Sequence, residues 1–197
     1  MRQNRPVITV APAMYVFLAL AVVLLPLKLL LAWLLSVLVH EMCHIFMVIL
    51  CQGRINGIRF SLTGAQIITD ALPLHREIIC VLAGPIGSIL LLVFFRWYPQ
   101  IAVCGFIQAV FNLMPFINAD GGKVLSEVLR LRMNDDRALK ICTYVDGAMR
   151  LILCLLGLLT AWKLSWPALG IFSCVYFLPR MKIKYPCKRR AQQVQYR

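Results

Sequence analysis

Two histidines and a glutamate stand close together in the pattern His40-Glu41-Met42-Cys43-His44. On a helix, residues four apart lie on the same face, so both imidazoles can reach one metal ion. The glutamate can then work on a metal-bound water, whose pKa zinc lowers to about 7, and pass the proton on to a leaving amine. The pattern therefore indicates a zinc hydrolase. A polar cluster that only holds helices together is the alternative.

Asp120 is the candidate for a third ligand. A catalytic zinc ion needs three protein ligands and an open position, and the chain has only eight acidic residues. The stretch from Asn112 to Asp120 reads N-L-M-P-F-I-N-A-D, and its proline should break a helix. Irregular backbone at membrane depth is tolerated only where it is buried in protein or lines a wet cavity. An ordinary helix-end aspartate beside a glycine turn is the alternative.

The elements that must position these residues are membrane spans. Hydrophobic residues make up 61% of the chain and charged residues 15%, whereas ordinary globular chains are about half apolar and a quarter charged. We expect an all-α polytopic membrane protein with about six transmembrane helices. The predicted spans are residues 7–25, 27–51, 77–95, 101–117, 144–164 and 165–178. At about 1.5 Å per residue, the second and fourth spans bring His40, His44 and Asp120 to similar depths near one face.

The distribution of charge predicts the topology. With the N-terminus inside, most of the 21 Lys and Arg residues fall in the cytoplasmic segments and the tail, in agreement with the positive-inside rule. Both termini are then cytoplasmic. Residues 1–180 form one transmembrane domain and residues 181–197 a basic cytoplasmic tail. The net charge of +13 is explained in this way without a nucleic-acid partner.

A short β-hairpin-like segment is expected after the second span. Between residues 54 and 69, Ile58, Phe60 and Leu62 alternate with polar residues, and Thr63-Gly64 offers a turn. An irregular loop with chance alternation is equally compatible with the pattern.

Together these motifs resemble the site-2 protease family of intramembrane metalloproteases. The sequence is most similar to the stage IV sporulation protein FB type, whose pattern is H-E-x-x-H on the second span and N-x-x-P-x-x-x-x-D-G on the fourth. Ala83-Gly84-Pro85 on the third span also matches a family signature. The resemblance covers roughly residues 37–125.

The resemblance implies a role for each site residue. It implies one zinc ion held by His40, His44 and Asp120, with Glu41 as general base and acid. It also implies that Asn112 hydrogen-bonds the oxyanion of the tetrahedral intermediate.

The sequence departs from the family pattern at two positions beside the site. Cys43 stands where the family usually has glycine, and Ala119 where leucine commonly precedes the aspartate. Neither change removes a ligand. The sporulation type also usually carries a C-terminal ligand-sensing domain, which we expect this chain to lack.

We therefore expect an intramembrane zinc metalloendopeptidase that acts in regulated intramembrane proteolysis. Its expected partners are a membrane-spanning or membrane-associated protein substrate, inhibitory membrane proteins and the lipid bilayer. The sporulation resemblance implies a bacterial cell membrane. Two alternatives stay open, namely a metal transporter that uses the same ligands as a transit site and a relative that binds membrane helices without cleaving them.

Overall fold

The computed structural model describes residues 7–61, 64–70 and 72–163. The chain divides into two compact units, Met1–Asp146 and Gly147–Arg197. Every candidate site residue belongs to the first unit, and the described part of the second is a helical segment, residues 147–163. The predicted sixth span, residues 165–178, and the basic tail, residues 181–197, lie outside the described residues.

Helices make up most of the described chain. The elements in order are β1 (Val7–Val10), α1 (Pro12–Leu24), α2 (Leu27–Leu50), β2 (Ile55–Ser61), β3 (Gly64–Thr69), α3 (Leu74–Leu90) with a following 3₁₀ segment (Leu91–Arg96), α4 (Pro99–Leu113), α5 (Asp120–Arg132) and α6 (Asp135–Lys163). Pro12 and Pro99 are the first residues of α1 and α4, a position where the missing N–H breaks no helical hydrogen bond.

Three of the described helical segments are long and apolar enough to cross a membrane: Leu27–Leu50, Leu74–Arg96 and Asp135–Lys163. Helices α1 and α4 are also apolar but have only 13 and 15 residues. At 1.5 Å per residue they reach about 20 and 22 Å, less than the roughly 30 Å of the hydrocarbon core. The six-span topology therefore stays a prediction.

The exposed and buried faces of α2 are those of a helix in lipid. Its buried residues include Ala32, Ser36, His40, His44 and Val48, spaced four apart. Large apolar side chains such as Leu31, Leu35, Leu38, Met42 and Phe46 are exposed instead. Water would favour the opposite arrangement, whereas small and polar residues commonly line helix–helix contacts inside a bilayer.

Three strands form a small sheet in the order β1-β2-β3. Strands β2 and β3 are antiparallel, which confirms the hairpin, and β1 pairs in parallel with β2 from Val7↔Gly57 to Val10↔Phe60. The prediction of a first span from residue 7 is wrong at its start, because residues 7–10 are extended. All four residues of this segment are β-branched, which favours a strand. They are also mostly apolar, so the sequence does not distinguish them from the apolar helix that follows.

The structure also corrects the elements around Asp120. Helix α4 ends at Leu113, two residues before Pro115 and four before the predicted end of the fourth span. Asp120 begins α5, in the segment between the predicted fourth and fifth spans, and α6 starts at Asp135 rather than at residue 144. Asp120 is thus the first residue of a helix and not a residue at the end of one.

Candidate metal centre

Helix α2 supplies two imidazoles to one buried point. His40 and His44 are one turn apart on the buried stripe, with 2% and 9% of their surface exposed. Their ring centroids are 4.8 Å apart and the rings are nearly perpendicular. This edge-to-face arrangement brings the two Nε2 atoms to 3.2 Å from each other, so both nitrogens face the same point.

Asp120 completes the group from a different helix. Its Oδ2 atom lies 3.2 Å from Nε2 of His40 and 3.1 Å from Nε2 of His44. Only 4% of the residue is exposed. Among the described residues, His40, His44 and Asp120 form a group whose donor atoms could hold one metal ion. We refer to these residues as the His-His-Asp triad.

The spacing of the triad fits a tetrahedral zinc ion. Zinc lies about 2.0–2.2 Å from histidine nitrogen and carboxylate oxygen, so two ligands of a tetrahedral site are about 3.3–3.5 Å apart. The observed separations of 3.1–3.2 Å are slightly shorter than that value. Three protein donors also leave a fourth position open, as in catalytic rather than structural zinc sites.

Hydrogen bonds on the far side of each imidazole orient the rings. Nδ1 of His44 donates to the backbone carbonyl of Cys80, 2.8 Å away, and Nδ1 of His40 lies 2.9 Å from the hydroxyl of Ser88. Because a carbonyl can only accept, neutral His44 carries its proton on Nδ1 and presents a lone pair at Nε2. That lone pair faces the Asp120 carboxylate, an arrangement that a metal cation between them would stabilise.

Helix α3 approaches the triad closely because Gly84 has no side chain. A Cβ atom at this position would overlap the His44 ring, 2.5 Å from Cε1 and 2.7 Å from Cδ2. Pro85 follows directly and is also buried. The Ala83-Gly84-Pro85 signature thus has a structural reason, which is to make room for the His44 ring.

Two further glycines place Asp120. A Cβ atom on Gly121 would come within 2.7 Å of the Met114 carbonyl oxygen, and one on Gly122 within 2.5 Å of the Phe116 carbonyl carbon. The first turn of α5 therefore packs directly on the backbone of residues 113–117. Asp146 of α6 supports this loop, since its Oδ1 accepts a 3.0 Å hydrogen bond from the N–H of Ile117.

The second oxygen of Asp120 has a different partner. Nζ of Lys123 lies 2.9 Å from Oδ1, while Oδ2 faces the histidines. Burial acts to raise the pKa of Asp120, but hydrogen bonds with His40 and His44 and the charge of Lys123 outweigh it and hold the pKa below its ordinary value. Asp120 is therefore a carboxylate, the form that binds a metal ion.

The two remaining candidate residues lie on α2 and α4. Glu41 is half-buried beside His40, and its Oε2 atom is inaccessible to solvent. Asn112 is half-buried in the last turn of α4, and its amide N–H donates to the carbonyl of Gln108, 3.1 Å away. Gln108 in turn accepts a 2.6 Å hydrogen bond from Ser36 of α2. These bonds join α2 to the end of α4 that carries Asn112.

The family model described as peptidase M50B-like matches residues 13–114, just over half of the chain. The chain belongs to the peptidase M50B-like family. The matched range includes His40, Glu41, His44 and Asn112, and it ends before Asp120.

Two relatives of this M50B-like chain come from the same archaeon. A curated zinc metalloprotease of Methanocaldococcus jannaschii is 29% identical over 139 residues, which are 64% of this chain and 41% of that protein. The chain thus matches less than half the length of this relative. The solved structure of a site-2 protease from Methanocaldococcus jannaschii aligns with a TM-score of 0.60 and 20% identity, covering 87% of this chain and 88% of that one. At this identity the alignment establishes a shared fold.

Family membership and the apolar helices together indicate a zinc metalloprotease-like membrane protein. The sporulation subtype stays a prediction. His75 is exposed at the start of α3.

Several supporting residues were missed from the sequence. Ser88, Lys123 and the carbonyl of Cys80 contact the triad directly. The sequence offers one signal for Ser88, a hydroxyl within an apolar span, and one for Lys123, its position three residues after Asp120 on the same helix.

Proposed function

We propose that this M50B-like protein is an intramembrane zinc metalloendopeptidase that hydrolyses peptide bonds of membrane-spanning or membrane-associated proteins. One observation carries the proposal. Two imidazole nitrogens of α2 and the carboxylate oxygen of Asp120 on α5 lie 3.1–3.2 Å apart in a buried group, and α2, which also carries Glu41, has an apolar outer face. Ionisable groups in such a span are costly unless they serve a function.

The His-His-Asp triad would hold the zinc ion. When bound, zinc supplies Lewis acidity, which polarises a carbonyl and makes water reactive near neutral pH. The Cys80 carbonyl fixes the tautomer of His44, and the Ser88 hydroxyl can accept from Nδ1 of His40, so that both Nε2 atoms would be available as ligands.

Glu41 would move the proton and Asn112 would stabilise charge. The carboxylate of Glu41 removes a proton from the attacking water and passes it to the leaving amine. The side-chain amide of Asn112 has two N–H groups, one of which donates to Gln108. We assign the second to the oxyanion of the tetrahedral intermediate, an interaction that typically lowers the barrier by a few kcal/mol.

The sheet would present the substrate. Peptide bonds in a helix are shielded, so a transmembrane substrate must become extended before it is cut. Strands β1 and β3 are the outer strands of the three-stranded sheet, and an edge strand can pair with an extended peptide through its backbone. The short chain segments after α2 and before α3 place this sheet next in sequence to the helices that carry the triad.

The environment follows from the same proposal. We propose a multi-pass protein of a bacterial cell membrane, with both termini in the cytoplasm, that acts in regulated intramembrane proteolysis and is controlled by inhibitory membrane proteins. The positive-inside bias supports the orientation, and the exposed apolar residues of α2 support the contact with lipid.

The test is the variant Glu41→Gln, with Glu77→Gln as the matched control on α3. The proteins are purified in detergent, zinc per chain is measured by atomic absorption, and cleavage of fluorescently labelled casein and of a single-span model protein in liposomes is followed. We expect Glu41→Gln to bind one zinc ion but lose cleavage, because the amide cannot accept the proton. Glu77→Gln should behave as wild type. Wild-type cleavage by Glu41→Gln, or wild-type protein without zinc, would refute the proposal.

A further inference from the structure

The two carboxylate oxygens of Asp120 have separate partners. Oδ2 lies 3.1–3.2 Å from the histidine nitrogens, and Oδ1 lies 2.9 Å from Nζ of Lys123. The Asp120 side chain is 5% exposed, whereas that of Lys123 is 39% exposed. The ion pair therefore joins a buried candidate ligand to a residue at the protein surface.

This division of the oxygens affects how many positions a metal ion has left. A carboxylate can bind a metal through one oxygen or through both. If Asp120 used both oxygens, they and the two histidines would fill all four positions of a tetrahedral site, or would make the site five-coordinate with water still bound. A catalytic site needs one of these positions for water or substrate, so something must keep Oδ1 away from the ion.

We propose that Lys123 is a positioning residue that holds Asp120 as a one-oxygen ligand and thereby keeps the fourth metal position open. This inference rests on the proposed function, because it concerns the same metal site. A hydrogen bond from an ammonium group to a carboxylate is among the stronger ones in proteins. Oδ1 is therefore engaged by Lys123, which competes with its binding to a metal ion.

The local structure explains why Lys123 can do this. Residues three apart on a helix lie on one face, and Lys123 follows Asp120 by three positions on α5. The backbone N–H of Lys123 donates to the carbonyl of Ala119, 3.1 Å away, which fixes the first turn. Gly121 and Gly122 between them carry no side chain, so no other residue of that turn can reach Oδ1.

An ordinary surface ion pair would have a smaller consequence. Exposed pairs at this spacing contribute little to folding, and their removal leaves other properties unchanged. The Lys123–Asp120 pair differs because the acceptor is buried and because its other oxygen belongs to the triad. Removing Lys123 should change metal coordination more than stability.

The experiment compares Lys123→Met, Lys123→Arg and, as a matched control, Lys140→Met, which removes an exposed lysine of α6. Each protein is loaded with Co²⁺ in place of zinc, and the metal content, the visible spectrum, thermal unfolding and cleavage of the single-span model protein are measured. Four-coordinate Co²⁺ absorbs more strongly than five-coordinate Co²⁺, so the spectrum reports the coordination number independently of activity.

We expect Lys123→Met to keep one metal ion per chain, to show a cobalt spectrum that differs from that of the wild type as Oδ1 joins the coordination sphere, with weaker absorption where the site becomes five-coordinate, and to cleave about 10–100-fold more slowly. Lys123→Arg should restore both properties, since its guanidinium can also hold Oδ1. Lys140→Met should match the wild type in spectrum and rate.

Three results would overturn the inference. They are a wild-type spectrum in Lys123→Met, loss of the metal or of the fold in that variant, and failure of Lys123→Arg to restore the spectrum. If wild-type protein binds the metal and cleaves while Lys123→Met is unchanged, only the role of Lys123 fails. If wild-type protein binds no metal, the proposed function fails with it.

Discussion

Replacement of Gly84 by alanine should separate metal binding from folding. In the structure, a Cβ atom added at Gly84 would overlap the imidazole of His44. No rotamer change can relieve this overlap, because an alanine side chain has no alternative rotamers. The neighbouring atoms are Cε1 at 2.5 Å and Cδ2 at 2.7 Å, whereas ordinary contacts begin at 3.4 Å. The ring of His44 or the backbone of α3 must move.

The size of the movement follows from these distances. The two ring carbons must retreat by about 0.7–0.9 Å to reach ordinary contact, and Nε2, which is nearer still to the added Cβ atom, must retreat further. Metal–ligand distances tolerate only about 0.2 Å of error, so His44 would leave its ligand position. The hydrogen bond of 2.8 Å between His44 and the Cys80 carbonyl would be disturbed as well. Losing an outer partner alone costs about 10–100-fold in metal affinity.

We therefore expect Gly84→Ala to bind zinc at least about 100-fold more weakly, a loss of about 2.8 kcal/mol. The free energy of unfolding of the metal-free protein should fall by less than this amount. Alanine is favoured over glycine in a helix interior by about 0.5–1 kcal/mol, and this gain partly offsets the strain at His44. The variant should be folded but poor in metal.

The assay is competition with a chromogenic zinc chelator, combined with thermal unfolding of the metal-free protein in detergent. Gly147→Ala is the matched control, because a Cβ atom there meets nothing within 4 Å. It should gain about 0.5–1 kcal/mol of stability without a change in zinc affinity. Wild-type zinc affinity in Gly84→Ala would refute the argument that α3 sets the position of His44.

Two further substitutions test the groups that support the triad. Ser88→Ala removes the partner of His40 Nδ1 and should weaken zinc binding about 10–100-fold in the same chelator competition. The control Thr143→Ala, which removes a hydroxyl that donates to the Leu139 carbonyl of its own helix, should leave zinc affinity unchanged, and equal affinity in the two variants would contradict the role of Ser88. Asp146→Ala removes the acceptor for the N–H of Ile117 and should lower the free energy of unfolding, measured with denaturant, by about 1–3 kcal/mol. Asp146→Asn keeps an acceptor oxygen and should lose less. Unchanged stability in Asp146→Ala would show that the loop does not depend on this hydrogen bond.

Helix α2 and the β-hairpin could be predicted because their signals are local. The apolar run from Leu27 to Leu50 ends in glutamine and glycine, and the structure ends the helix within one residue of the prediction. Alternation of apolar and polar residues indicated the strands β2 and β3. In both cases the pattern within a few neighbouring residues decides the structure.

Strand β1 and helix α5 depend on distant contacts, and the sequence did not reveal them. Residues 7–10 pair with β2, about 50 positions later in the chain, so no local pattern separates them from the apolar helix that follows. Gly121 and Gly122 suggest a turn, because glycine is poor in a helix interior. In the structure these two glycines instead allow the close approach of α5 to the loop of residues 113–117, a contact that exists only in the folded chain.

The three candidate ligands lie together in the structure, although their role in binding zinc stays a prediction. The i,i+4 spacing of His40 and His44 ensures that one helix face carries both. Asp120 is the candidate third ligand because few acidic residues lie near a predicted span and because its predicted depth matches that of the two histidines. The role of Glu41 follows from its place beside the first histidine of the motif and that of Asn112 from the family resemblance, and the contacts described for them leave those roles to experiment.

Burial of polar side chains is a more general signal than the motif itself. The buried polar residues of the described chain are Ser36, His40, His44, Ser88, Asp120 and Asp146. Three form the triad, Ser88 contacts His40, Asp146 holds the loop before Asp120, and Ser36 connects α2 to the helix of Asn112. Burying a polar group in a lipid-facing helix costs free energy unless it is hydrogen-bonded. All six belong to the triad or to the elements around it, so the buried polar groups of the described chain are concentrated at one place. A functional centre requires such a concentration, whereas polar residues that only pack helices together do not.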